Sequence, residues 1–252
     1  MELNVVSFNI WCHDQPGKNS VNSRAPRLKE VLDPIDADII GLQECTPNWL
    51  THLEEDFSSK YEIFNVWRAS HNHESTPMMW KKERFDCLDK GCFWLSDTPE
   101  VESLGADEWK CYRTCLWAKL QDKKTGKIFL HMNTHFGFGD PCQLHSVELL
   151  HKYHLENGPY PTMITGDFNM RPDFAAYKAM TELYTDVNMA TDKDMGNTFH
   201  GNDANQHLDS LIDYCFIDKG FQAISYRRIT DKVGGHYPSD HYGIQAVIQF
   251  AE

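Results

Sequence analysis

Leu3-Asn4-Val5-Val6-Ser7-Phe8-Asn9-Ile10 reads as a short buried strand whose apolar run is broken near its end by an amide. A polar group buried without a partner is costly, so Asn9 asks where its partners lie. The same signature recurs down the chain. Gly41-Leu42-Gln43-Glu44 ends an apolar segment on a carboxylate, and Asn133-Thr134-His135 ends another on an imidazole. Gly166-Asp167-Phe168-Asn169 follows a fourth strand, Asp213 lies inside Leu211-Ile212-Asp213-Tyr214-Cys215-Phe216, and Ser239-Asp240-His241 precedes the last strand. Taken alone, Asp167 reads as a turn residue and Asp213 as a satisfied core carboxylate. Together, carboxylates, amides and imidazoles at strand ends are economical if they converge on one cleft and share a metal ion.

The segments between these motifs mix helix and strand without strict βαβ alternation. Leu28, Val31, Leu32 and Ile35 recur at helical spacing, which predicts a helix over 24–35 with Pro26 in its first turn and Pro34 at its end. Strand 37–42 follows, then a helix from Thr46 as N-cap to about Phe57. Strands are expected at 61–68, 77–82, 85–94 and 114–120, and a turn at 123–126 leads into a strand at 128–136. Helices at 141–156 and 174–183 flank a strand at 162–165, and strands at 211–217, 221–230 and 242–250 close the chain. The stretch 186–208, rich in Asn, Asp, Gly and His, reads as a long surface loop. With no internal repeat and no linker-like run, the pattern predicts a single α/β domain over 1–252, mixed sheets covered by helices.

Composition narrows the function. Apolar residues at 41% suffice for a sizeable core, and no apolar run approaches the roughly 20 residues of a membrane-spanning helix. Met1-Glu2-Leu3-Asn4 lacks the basic and apolar regions of a secretory signal, so a cytoplasmic protein is expected. Eight cysteines scattered through apolar segments, with no Cys-x-x-Cys, suit reduced, mostly buried thiols and argue against structural zinc. A net charge of −13 argues against gripping long nucleic acid, whose binding draws on many Lys and Arg contacts to phosphate.

The six strand-end motifs, in this order, resemble the ordered motif set of the endonuclease/exonuclease/phosphatase superfamily, which includes deoxyribonuclease I, exonuclease III, inositol polyphosphate phosphatases and bacterial sphingomyelinases. The resemblance runs from residue 4 to about 250, and the stretches 78–100, 112–120 and 234–244 look most like a bacterial branch of unassigned substrate. It implies a deoxyribonuclease I-like α/β/β/α sandwich of four layers, two mixed β-sheets face to face with helices outside. It implies Glu44 as the principal ligand of Mg²⁺ or Mn²⁺, with Asn9 beside it and Asp240 supporting the metal side. His241 would be the catalytic imidazole, oriented by Asp213, while Asp167 and Asn169 would orient water and the phosphoryl group. His135 would be a second imidazole with Glu74 as its carboxylate partner, Glu74 lying in a loop-like segment. Arg113 would sit near the phosphate and Asn133 would contact substrate.

Other residues carry blander readings. His151 and His154 share one helix side and read as solvated, and Trp11, Trp67, Trp94 and Trp117 read mainly as core. After His135 the chain runs Phe136-Gly137-Phe138-Gly139-Asp140, where relatives of this branch more often show Asp or Leu-Asp and a basic residue. That departure bears on the substrate pocket rather than on the metal site. The expected activity is therefore metal-dependent hydrolysis of a small soluble phosphate ester. A nuclease would need a basic groove, for which only scattered Arg24, Arg27, Arg68 and Arg171 are on offer, and a non-catalytic binding module is the third alternative.

Overall fold

The computed structural model describes residues 2–201 and 210–251. In chain order the elements are β1 (Glu2–Asn9), α1 (Val21–Leu32), β2 (Ile39–Gln43), α2 (Pro47–Phe57), β3 (Tyr61–Phe64), β4 (Trp67–Ala69) and β5 (Asn72–Ser75). Then come β6 (Met78–Lys81), β7 (Phe85–Trp94), β8 (Thr114–Asp122), β9 (Ile128–His135), α3 (Asp140–Glu156) and β10 (Thr162–Asp167). The chain closes with α4 (Ala175–Leu183), β11 (Thr185–Asp186), α5 (Val187–Ala190), β12 (Asp213–Ile217), β13 (Phe221–Ile229) and β14 (Gly243–Phe250).

Two six-stranded sheets form, in the orders β13-β14-β1-β2-β6-β3 and β11-β12-β10-β9-β8-β7, with β4 and β5 as a separate hairpin. Each sheet has one parallel pair at its centre, β1 with β2 and β9 with β10, and is otherwise antiparallel. Three cores hold four layers together. Leu3, Val5, Ile39, Trp80, Leu116, Phe129, Met163 and Ile248 fill the space between the sheets. Val21, Leu28, Val31, Trp49 and Leu53 seal α1 and α2 onto the first sheet. Val147, Leu150, Ala176 and Met180 do the same for α3 and α4 on the second. The result is the expected α/β/β/α sandwich.

Polar side chains also cross between the sheets. Asn133 Nδ2 donates to the carbonyls of Leu42, Thr76 and Pro77 at 2.8–3.2 Å, while its Oδ1 accepts from Gln43 Nε2 and Thr165 Oγ1. Gly41 makes room for this: a Cβ there would meet Asn133 Oδ1 at 2.4 Å. Nothing but glycine fits.

Several local expectations are corrected. The first helix starts at Val21 because Ser20 Oγ accepts from Ser23 N, so Pro26 falls past its first turn. The span 61–68 divides into β3 and β4, which belong to different sheets. Within 186–208 the chain forms α5, capped by Asp186, instead of continuous loop; residues 202–208 lie outside the described residues. His151 and His154 are not simply solvated, since both rings lie within hydrogen-bond reach of the Tyr184 hydroxyl. All eight cysteines are free thiols, four of them buried. Among the described residues no helix is long and apolar enough to cross a membrane.

Candidate active site

Parallel neighbours end at the same edge of a sheet. The pair β1/β2 therefore delivers Asn9 and Glu44 together, and β9/β10 delivers His135 and Asp167 together. β12 runs antiparallel to β10, so its first residue, Asp213, lies in register with Asp167. His241, two residues before β14, comes up beside them. Glu44, His135, Asp167 and His241 form the floor of a cleft of about 690 Å³, with Asn9 and Asp213 buried directly beneath it, and its walls include Trp11, Cys12, Arg68, Glu74, Trp109, Arg113, Phe138, Arg171, Phe199 and Asp240.

Asp167 is the hub. Its Oδ2 accepts from Asn9 Nδ2 at 2.9 Å and lies 3.5 Å from His135 Nε2 and 3.8 Å from His241 Nε2. Its Oδ1 accepts from the Asn169 backbone amide at 3.0 Å, and Asn9 Oδ1 likewise accepts from the Trp11 amide at 2.9 Å. Both bonds close tight turns that hold Trp11 (φ 63°) and Asn169 (φ 48°) in the left-handed region. Glu44 is there too, at φ 62°, braced by the reciprocal backbone bonds of Cys45 and Ser75. Each such non-glycine residue costs about 1–2 kcal/mol, a strain that clusters where side chains must be aimed.

Electrostatics separate the two imidazoles. Burial opposes charge on His241, but Asp213, at 2.9 Å from Nδ1, together with Asp167 and Asp240 outweighs it and lifts the ring to about 10. Burial and Arg113 push His135 well below the ordinary imidazole value, and its Nε2 accepts from Asn169 Nδ2 at 3.0 Å, as a neutral ring can. Asp167 is raised to about 7 by burial and by Asp213, against the pull of His241 and Asn9. Asp240 is raised to about 6, by burial first and Glu44 second among the raising influences.

Glu44 behaves oppositely. Burial would raise it, yet the Cys12 amide, Asn9 and His241 hold its carboxyl below the ordinary range. With the His135 ring neutral, the donors Cys12 N at 2.7 Å and Asn9 Nδ2 at 3.0 Å, with cationic His241, keep it ionised at neutral pH. The Cys12 amide is aimed by Arg24, one of the scattered arginines of the sequence, through the carbonyls on either side of it. Arg24 is buried and donates to the carbonyls of Ile10, Trp11 and His13 from beneath the loop.

Two expected assignments land elsewhere. Asn133 is wholly buried between the sheets and does not line the cleft, because its hydrogen-bonding capacity goes to groups of the opposite sheet and to Thr165 on the neighbouring strand. Glu74 does line the cleft, but on β5 rather than a loop, and its ion-pair partner is Arg68 across the β4–β5 hairpin instead of His135. Arg113 lines the cleft at 5% exposure with Nε donating to Asp107 at 3.3 Å. Arg68, Asp107, Trp109 and Phe138 were not singled out as site residues. Only the unusual 136–140 stretch carried a sequence signal, since the others depend on contacts made in three dimensions.

Two groups bring donor atoms within 4.8 Å of one another: Glu44, His135 and Asp167, and Asp167, Asp213 and His241. Glu44 fits a hard cation, because a carboxylate has about four lone-pair sites and the two N–H bonds occupy only some of them.

Fold and strand-end constellation together define an α/β/β/α hydrolase scaffold. Residues 6–241 match the Endonuclease/Exonuclease/phosphatase family, to which this chain belongs. It is similar to an endonuclease/exonuclease/phosphatase family protein from Bacteroides thetaiotaomicron, with 28% identity, TM-score 0.92, and coverage of 100% of this chain and 99% of that one. It is also similar to a mannosyl-6-phosphatase from Bacteroides thetaiotaomicron VPI-5482, at 28% identity and TM-score 0.89 over 98% of this chain and all of that one. The human Nocturnin catalytic domain shares the fold at 17% identity and TM-score 0.77, over 99% of this chain and 94% of that one. No curated protein matches.

Proposed function

We propose that the chain, acting as one domain over 1–252, is a Mg²⁺- or Mn²⁺-dependent phosphoester hydrolase whose substrate is a small soluble phosphorylated molecule. The observation that carries this reading is the convergence on Asp167 Oδ2 of Asn9, His135 and His241, at the floor of a cleft that also holds Glu44 and three arginines. Glu44 would hold the ion, with Asn9 and Asp240 beside it. When bound, the ion supplies positive charge to the phosphoryl oxygens and the leaving group.

The protein's own groups have separable tasks. Arg68, Arg113 and Arg171 line the cleft where a phosphate would be received, and planar guanidinium forks suit its oxygens. Asp167, oriented by Asn9 and the Asn169 amide, would take the attacking water's proton, while His241, oriented by Asp213, holds that water in place. Cationic His241 also stabilises negative charge developing at phosphorus, while neutral His135 can only donate or accept a hydrogen bond.

A small substrate is supported by a cleft size within the roughly 300–1,000 Å³ usual for small-molecule sites. The net charge of −13 and the mannosyl-6-phosphatase relative point the same way and weigh against DNA or RNA. The test is hydrolysis of p-nitrophenyl phosphate, bis(p-nitrophenyl) phosphate and sugar phosphates with Mg²⁺ or Mn²⁺, before and after EDTA, in the native chain and in Glu44→Gln. Metal-dependent turnover lost in the variant supports the reading. No turnover of any phosphoester leaves a binding module, and turnover confined to polynucleotides leaves a nuclease.

A further inference from the structure

Trp109 is the most exposed large apolar side chain among the described residues, at 70%, yet it is not on a loose loop. The segment 107–113 is pinned to the segment 136–139 by one buried carboxylate. Asp107 accepts from the backbone amides of Phe138 (2.8 Å), Cys111 (3.0 Å) and Trp109 (3.3 Å), and from Arg113 Nε (3.3 Å). Backbone bonds from Glu108 N to Phe138 O and from Lys110 N to Asp107 O complete the clamp. The Trp109 indole stacks on the Phe138 ring at 4.3 Å and 21°, so one indole face is backed by an aromatic ring. Both rings line the cleft, next to Arg113.

Exposing an indole forfeits hydrophobic stabilisation, so a clamp that fixes it at the mouth of the cleft does nothing for the core. We propose that Trp109, backed by Phe138, is the subsite for the leaving group, and that this group is the pyranose ring of a sugar phosphate. The inference rests on the phosphoester reading of the same cleft and goes beyond it by naming the residue that selects the substrate.

Three features favour a sugar ring. A flat aromatic face matches the C–H face of a pyranose, and the cleft also holds the carboxylate of Glu74, which can accept from ring hydroxyls. The cleft's arginines each already have a carboxylate partner, Glu74 for Arg68, Asp107 for Arg113 and Asp173 for Arg171. With each guanidinium already balanced, these arginines supply no excess of positive charge for a polyphosphate or a nucleic-acid backbone. Arg113 connects the two ends of the substrate, since its guanidinium is held by Asp107 and lies 5.8 Å from the Phe138 ring centre. The same carboxylate thereby sets the distance between phosphate and ring.

The test uses the full chain with Mg²⁺ and three non-hydrolysable probes in calorimetry: a hexose 6-phosphonate, methylphosphonate and a nucleoside 5′-phosphonate. The native protein should bind the hexose compound more tightly than methylphosphonate. Trp109→Ala should weaken the hexose compound roughly tenfold, the scale of one aromatic contact, and leave methylphosphonate unchanged, with Trp109→Phe recovering most of the loss. Trp109 is exposed, and circular dichroism checks that each variant folds. In turnover the change should fall on KM for hexose phosphates and not on kcat.

Equal weakening of all three probes, no weakening of any, or an effect confined to the nucleoside probe overturns the proposal. So does a native protein that binds the hexose compound no better than methylphosphonate. Tight, Trp109-dependent binding of the hexose probe without metal-dependent turnover of any ester would keep the subsite and remove the hydrolase reading. Turnover without ring discrimination would do the reverse.

Discussion

The floor of the cleft and its rim are built by different means. On the floor, Asn9, His135, Asp167 and Asp213 are the first or last residues of paired strands, so ladder hydrogen bonds running deep into both sheets fix their backbones. On the rim, Trp109 and Phe138 stand on irregular segments joined chiefly through the side chain of Asp107. A shift of one floor residue would have to break register in a sheet, whereas the rim can be redrawn by changing a few loop residues. The comparison teaches where chemistry and selectivity are divided, with proton handling anchored in the sandwich and substrate shape read by loops.

The largest effects should come from the floor. Asp167→Asn or His241→Ala should lower kcat for an aryl phosphate by about 10³–10⁴-fold, the scale of a lost general acid–base group, with little change in phosphonate binding. If kcat survives, the convergence on Asp167 is structural. Asp213→Asn should cost somewhat less, about 10²–10³-fold by the same scale. It should also lower the His241 pKa, because the charge that raises it is removed, and NMR titration of the imidazole reads that shift.

A third variant asks how rigidly the floor is tied to the layers beneath. Asn133→Ala would take a buried donor from the carbonyls of Leu42, Thr76 and Pro77 and an acceptor from Gln43 and Thr165, some of which keep other partners, so a urea titration should give a stability loss of about 2 kcal/mol. KM should hardly move. A rise in KM at unchanged stability would return Asn133 to the substrate contact that the family resemblance implied.

The smallest effect concerns the rim. Burial works against ionising Asp107, but the Phe138 amide, Arg113 and the Cys111 and Trp109 amides hold its carboxyl below the ordinary range. A depressed folded-state value means this stabilisation is complete above the unfolded value, about 3.9, and is lost as pH falls through the folded value. Trp109 fluorescence, taken as the difference between native protein and Trp109→Phe, should hold steady down to about pH 4 and change below it. Asp107→Asn should remove that acid step. A step that persists in the variant would assign the rim's acid sensitivity to another group.

Much of the floor was legible because buried strands are apolar, so a polar residue at their ends stands out. The span of β7 and the ends of β12, β13 and β14 lie within two residues of where the pattern predicted them. What stayed hidden depends on partners far apart in sequence. Glu74 read as loop because β4 and β5 are too short to show alternation, and its partner Arg68 is visible only once the hairpin closes. Arg24 sits on a helix, and its partners, the carbonyls of Ile10, Trp11 and His13, come within reach only when the loop it supports folds over it. Asn133 was assigned to substrate by motif alone, although its neighbours Gly41 and Gln43 belong to the opposite sheet.

The two sheets have matching strand orders and matching directions, each with its parallel pair in the same place. Face to face, β1 lies opposite β10 and β2 opposite β9, so an approximate twofold rotation about an axis along the strands would carry β1 onto β9 and β2 onto β10, placing Asn9 over His135 and Gln43 over Asp167. The repeated unit is a strand, a helix and a parallel strand, β1-α1-β2 in one half and β9-α3-β10 in the other. One backbone unit is thus used twice, back to back across the dyad. Side-chain identity alone sets Asn9 and Glu44 at the end of one unit and His135 and Asp167 at the end of the other.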